Sequence, residues 1–168
     1  MLKLVDVFEL SQTDNIFFID SDVLFFKEPK EFLVPPDNSK WYFNRDVASA
    51  YIIKPAEAMD AFGVNLIERI NTGLWRAPRS LYSREFLIEV LQHPDFELWR
   101  NRRKHVTEQT MAALMACHSE TAAFLPTTYD VSIDKQAANE VCKHYVGEIR
   151  EGFASEGVTH LINLLASK

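Results

Sequence analysis

The chain has 168 residues, 47% of them hydrophobic, enough for one domain with its own core and too apolar for a disordered chain. A formal net charge of −6 gives a nucleic-acid partner no electrostatic support. No apolar stretch approaches the roughly 20 residues of a membrane-spanning helix, and the amino terminus lacks the basic-then-apolar order of a secretory signal.

In chain order, residues 1–10 carry Leu2, Leu4, Val5, Val7 and Phe8, a pattern open to either the end of a helix or a short strand. Residues 11–15 read as a turn. Ile16-Phe17-Phe18-Ile19 then predicts a strand buried on both faces. Asp20-Ser21-Asp22 follows at its carboxyl end, where open α/β sheets place ligands. Side chains at i and i+2 of an extended backbone share a side, so Asp20 and Asp22 can meet one cation while Ser21 faces away. Ordinary turn chemistry is the alternative meaning of the same three residues.

Lys27-Glu28-Pro29 closes this region, and residues 35–39 form a second break. Short strands are expected at residues 41–45 and 50–53, then a short helix or irregular segment from Pro55 to about Leu66. Residues 69–77 read as a strand interrupted by Asn71-Thr72-Gly73. A glycine there marks either a close approach of backbone or ligand, or a plain bulge. Ser80 or Ser83 can cap a helix to about Gln92 with Phe86, Leu87, Val90 and Leu91 on one face, ended by Pro94.

The basic run at residues 100–104 reads as a solvated loop. Thr107 heads a helix with Thr110, Met111, Leu114 and Met115 as its inward stripe. Further short strands are expected at residues 124–126, 129–133 and 141–146, then a carboxy-terminal helix broken near Gly157. Cys117 and Cys142 lack metal-type spacing, which suits two buried thiols in a reducing, cytoplasmic setting. With no repeat, low-complexity tract or linker, residues 1–168 are expected to form a single domain.

His144 ends a predicted strand close to Gly147 and Arg150. Two carboxylates and one imidazole would suit Mn²⁺ or another divalent ion, leaving positions for phosphate oxygens. Gly147 would let a backbone amide approach those oxygens, and Arg150 would offer a fork of donors. The plainer meanings are a core histidine and a surface arginine.

Asp20-Ser21-Asp22 after an apolar strand, Asn71-Thr72-Gly73, Glu108-Gln109 at a helix start, and His144-Tyr145-Val146-Gly147-Glu148-Ile149-Arg150 occur in the order of the motifs of GT-A glycosyltransferases. The set, spanning Ile16 to Arg150, most resembles the retaining galactosyltransferase and glycogenin-like group. The resemblance implies an α/β, Rossmann-like fold with a mixed sheet flanked by helices. It also implies a nucleotide-diphosphate-sugar donor, held through Mn²⁺ or Mg²⁺, and leaves the acceptor open among glycan, protein and small molecule.

By resemblance, Asp20, Asp22 and His144 hold the metal, and Asn71, Thr72 and Gly73 lie near the donor sugar and its phosphates. Glu108 would meet sugar hydroxyls, Gln109 the anomeric carbon, and Gly147 and Arg150 the diphosphate. The chain departs from the family in having Glu108 for Asp, Arg150 for Lys, and Glu151-Gly152 for Pro-Trp. Only nineteen residues precede Asp20, where the family has a βαβ unit, so the resemblance is to the carboxy-terminal part of such a catalytic domain. Two other readings use the same residues. One is a haloacid-dehalogenase-like phosphatase with Asp20 as nucleophile and Asp22 as acid/base, although its later acidic motif is missing; the other is a non-catalytic module that binds a metal or a partner.

Overall fold

The computed structural model describes residues 2–133 and 140–167. Helix α1 (Leu2–Leu10) leads into β1 (Asn15–Ile19), β2 (Val23–Phe25), α2 (Lys30–Leu33), β3 (Trp41–Arg45), α3 (Pro55–Phe62) and β4 (Ile70–Pro78). Helices α4 (Arg84–Gln92), α5 (Phe96–Arg102) and α6 (Thr107–His118) follow. Then come β5 (Ala122–Phe124), β6 (Cys142–His144), a π-helical stretch Phe153–Val158 and α7 (Thr159–Ala166). The fold is mixed α/β, with a mixed sheet of order β1-β4-β3-β5 flanked by helices and a separate β2-β6 ribbon. Strand β4 pairs antiparallel with β1 and β3, while β3 pairs parallel with β5.

Successive side chains of a strand alternate between faces, and β4 feeds a different core from each. Trp75 and Ala77 join Phe8, Trp41, Phe43, Met111 and Leu114 in the larger core, while Leu74 joins Phe32, Tyr129 and Cys142 in the smaller. Phe8 anchors α1 to the sheet, its ring centroid 5.2 Å from Trp41 and 5.7 Å from Trp75. Each such burial contributes on the order of 2 kcal/mol. The inward stripe expected on α6 is extended by Ala112, Ala113 and Ala116, so nearly the whole helix is buried. Ser83 caps α4 by accepting from the Phe86 amide (3.1 Å), and Gly63 ends α3 at φ +66°.

Several sequence expectations are corrected. β1 is not buried on both faces: it lies at the sheet edge, and Phe17 and Ile19 are 43% and 46% exposed. Residues 50–53 are not a strand; Ile52 and Ile53 are buried in irregular chain, where the Ile52 amide donates to Thr110 Oγ1 (3.0 Å). Residues 129–133 are not one either, since Thr127–Tyr129 forms a 3₁₀ turn that leads into irregular chain. The basic run at 100–104 is only partly loop, because Arg100 and Arg102 close α5. β4 is one continuous strand through Asn71-Thr72-Gly73 rather than an interrupted one, but the bulge alternative holds: Phe43 pairs with Trp75 and Asn44 with Asn71, which leaves Thr72, Gly73 and Leu74 as extra residues on β4.

Candidate metal centre

Asp20 and Asp22 occupy the tight link between β1 and β2, where the Val23 amide donates to the Asp20 carbonyl (3.1 Å). Two further backbone bonds fix that link. The Asp20 amide donates to the Gly73 carbonyl of β4 (2.7 Å), and the Tyr145 amide, just past β6, donates to the Asp22 carbonyl (2.9 Å). Val23 pairs with His144 in the ribbon. The carboxylates therefore converge through a turn rather than along the extended backbone the spacing suggests, while Ser21 is exposed as expected.

His144 Nε2 lies 3.1 Å from Asp22 Oδ1 and 3.9 Å from Asp20 Oδ2. One ligand atom from each of the three residues falls within 4.8 Å of the others, a spread a single divalent cation can bridge. The donor set of two carboxylates and an imidazole suits a borderline ion such as Mn²⁺ better than Ca²⁺. Burial pushes the His144 pKa below its ordinary value, against the opposing pull of Asp22 and Asp20. Imidazole is the form in which histidine can accept a metal.

Gly73 is the seat of that ring. A Cβ built there would stand 1.9 Å from His144 Cε1 and 2.3 Å from Nδ1. The close approach at this glycine is thus made by a side chain, that of His144, rather than by backbone or a bound ligand. The same Nδ1 lies 3.1 Å from Asn71 Oδ1. Arg150, at the rim and largely exposed, donates to Asp22 Oδ2 (3.1 Å), leaving Oδ1 toward His144.

The cluster opens into a cleft of about 390 Å³ that is lined by Asn71, Thr72, Gly73, Glu108, Gln109 and Arg150 together with the three acidic and imidazole groups. Gly147 is not among the lining residues; it is exposed, at φ +52°, and turns the chain between Val146 and Arg150. Glu108 Oε1 accepts from the Leu4 amide (2.6 Å), and Gln109 Nε2 donates to the Ala50 carbonyl (3.1 Å). Both side chains thus tie α6 to neighbouring segments at the cleft wall. Asp46, Arg103 and His105 also line it, and sequence reasoning assigned them no role. Asp46 directly follows β3, a place where ligands gather, but nothing in its spacing to the other acids marks it.

No protein-family model, curated protein or solved structure matches this chain. Among the described residues, no helix is long and apolar enough to cross a membrane.

Proposed function

We propose that this chain is part or all of a divalent-metal-dependent glycosyltransferase that takes a sugar from a nucleotide-diphosphate donor. The observation carrying the reading is the meeting of Asp20, Asp22 and His144 within 4.8 Å at the end of a cleft. Two distant segments supply the carboxylates and the imidazole, and a glycine keeps room for the ring. The order of the four motifs supports the sugar-transfer class in particular.

In this proposal Asp20, Asp22 and His144 hold Mn²⁺ or Mg²⁺. When bound, the cation supplies charge stabilisation to a departing diphosphate. Arg150, now on Asp22, turns its guanidinium to phosphate oxygens as the charge develops, an interaction stronger in the transition state than before it. Thr72 lines the cleft beside Gly73, whose own amide and carbonyl are taken by Asn71 and Asp20, and Glu108 and Gln109 form the wall nearest the sugar. Leu4, Trp75 and Val106 line the same cleft with apolar surface, which reduces access of competing water.

The test is release of nucleoside diphosphate from a panel of nucleotide sugars, with and without Mn²⁺, alongside Mn²⁺ calorimetry. Turnover is expected only with metal. Asp22→Asn and His144→Ala are each expected to weaken metal binding and turnover by about 100-fold or more, with a native circular dichroism spectrum. Metal-independent turnover would remove the proposal. Phosphate release from an aryl phosphate, lost in Asp20→Asn, would favour the phosphatase reading, and metal binding with no turnover would favour a binding module.

A further inference from the structure

We infer that Asp46 and Asn71 are positioning residues, which fix the His144 imidazole with Nδ1 as a hydrogen-bond donor and Nε2 aimed at the cation position between Asp20 and Asp22. The inference rests on the metal-holding half of the proposed function and not on sugar transfer.

The Asn71 amide can face only one way. Its Nδ2 donates to Asp46 Oδ2 (2.9 Å), and its Oδ1 accepts from the Gly73 amide (2.8 Å). An ionised carboxylate can only accept and a backbone N–H can only donate. Rotating the amide by half a turn would therefore set oxygen against oxygen and N–H against N–H. Asn71 is only 5% exposed, so water is poorly placed to repair either loss. Asn44, fully buried, adds to the constraint once its amide nitrogen is turned toward β4. In that orientation its two hydrogens face Asn71 Oδ1 (3.2 Å), the Asn71 carbonyl (3.1 Å) and the Leu74 carbonyl (3.0 Å), sharing among the three.

With Oδ1 held in place, the ring nitrogen 3.1 Å away must carry a hydrogen. His144 Nδ1 then donates, and Nε2 is the nitrogen left to face Asp20 and Asp22. Asp46 is anchored in its turn: the Val47 amide donates to its Oδ1 (2.7 Å) and its own amide donates to the Arg69 carbonyl (2.7 Å). Arg69 Nε donates back to the Asp46 carbonyl (2.6 Å). The relay thus starts where β3 ends and β4 begins and finishes on the ring. Asp46 itself stands outside the three-residue ligand cluster, and its hydrogen-bonded route to the ring runs through Asn71.

Mn²⁺ alone is titrated by calorimetry into the whole chain and into single variants whose fold is checked by circular dichroism. Asn71→Ala and Asp46→Ala are each expected to weaken binding roughly 10–100-fold, while Asp46→Asn, whose single oxygen can still accept from Asn71 although the charge and the Val47 bond are given up, loses less than about threefold. Equal losses in Asp46→Ala and Asp46→Asn would overturn the inference, because Asp46 would then act by charge. A second measurement needs no variant. Nitrogen NMR of the wild-type chain loaded with diamagnetic Zn²⁺ should find hydrogen on His144 Nδ1 and metal on Nε2; the reverse arrangement would overturn the inference. Metal binding with the expected relay but no nucleotide-sugar turnover would remove sugar transfer alone. Failure of wild-type chain to bind Mn²⁺ or Zn²⁺ would remove both.

Discussion

A methyl group added at Gly73 would fall inside the His144 ring, 1.9 Å from Cε1. The ring is packed between β4 and the acidic link, so relief requires the imidazole to swing away from Asp20 and Asp22. Gly73→Ala is accordingly expected to cost about 1–3 kcal/mol of stability by overpacking. It should also weaken Mn²⁺ binding about tenfold or more; calorimetry together with thermal melting measures both, and unchanged affinity would show that the ring has another seat. The need for a glycine in a strand was readable from the sequence, and so were the three ligand candidates. What approaches the glycine was not, because His144 comes from the far end of the chain. Asn71 illustrates the same limit. The motif order suggests a donor contact, yet its side chain is spent on Asp46, Gly73 and His144, hydrogen bonds that no spacing rule predicts.

Among the elements, β6 joins the site to the carboxy-terminal segment. His144 points to the carboxylates, while its neighbour Lys143, 1% exposed, lies 3.6 Å from Glu156 of the π-helical stretch. Tyr145 donates its hydroxyl to the same carboxylate, and a Cβ at Gly157 would collide with that tyrosine. Glu156→Gln takes negative charge away from a buried ammonium and is expected to cost about 2 kcal/mol. That corresponds to roughly a 4–8 °C fall in melting temperature for a domain of this size. An unchanged melting temperature would mean that Lys143 is balanced elsewhere. The helix expected to break near Gly157 does not: the π-helical stretch Phe153–Val158 runs straight into α7, and a glycine in a helical pattern discloses neither that continuity nor the π geometry. Residues 50–53 and β1 were misread for a related reason: an apolar run reports burial, but it does not report whether backbone hydrogen bonds go to a strand, to a Thr110 hydroxyl, or to one neighbour only.

For the molecule as a whole, the candidate centre lies where the two sheets meet. Asp20 follows β1 of the four-stranded sheet, and His144 ends β6 of the ribbon. The mixed α/β class is the one that the motif resemblance implied, and the strand-like and capped helical runs of the sequence agree with it. The division into sheet and ribbon was not legible, because it depends on the short Asp20–Val23 turn, and Asp20-Ser21-Asp22 reads equally as the end of an extended strand and as a turn. A cation held by both sheets binds the folded chain and not the unfolded one, so it must stabilise the whole fold by mass action. At a free Mn²⁺ concentration about 100 times its dissociation constant the gain is about 2.7 kcal/mol, or roughly 5–10 °C in melting temperature. A chelator should reverse the shift, and Asp22→Asn should abolish it while unfolding otherwise stays cooperative. If Mn²⁺ raised the melting temperature of wild type and Asp22→Asn equally, the ion would be acting at some other place on the surface, and the bridge between the sheets would have to be given up.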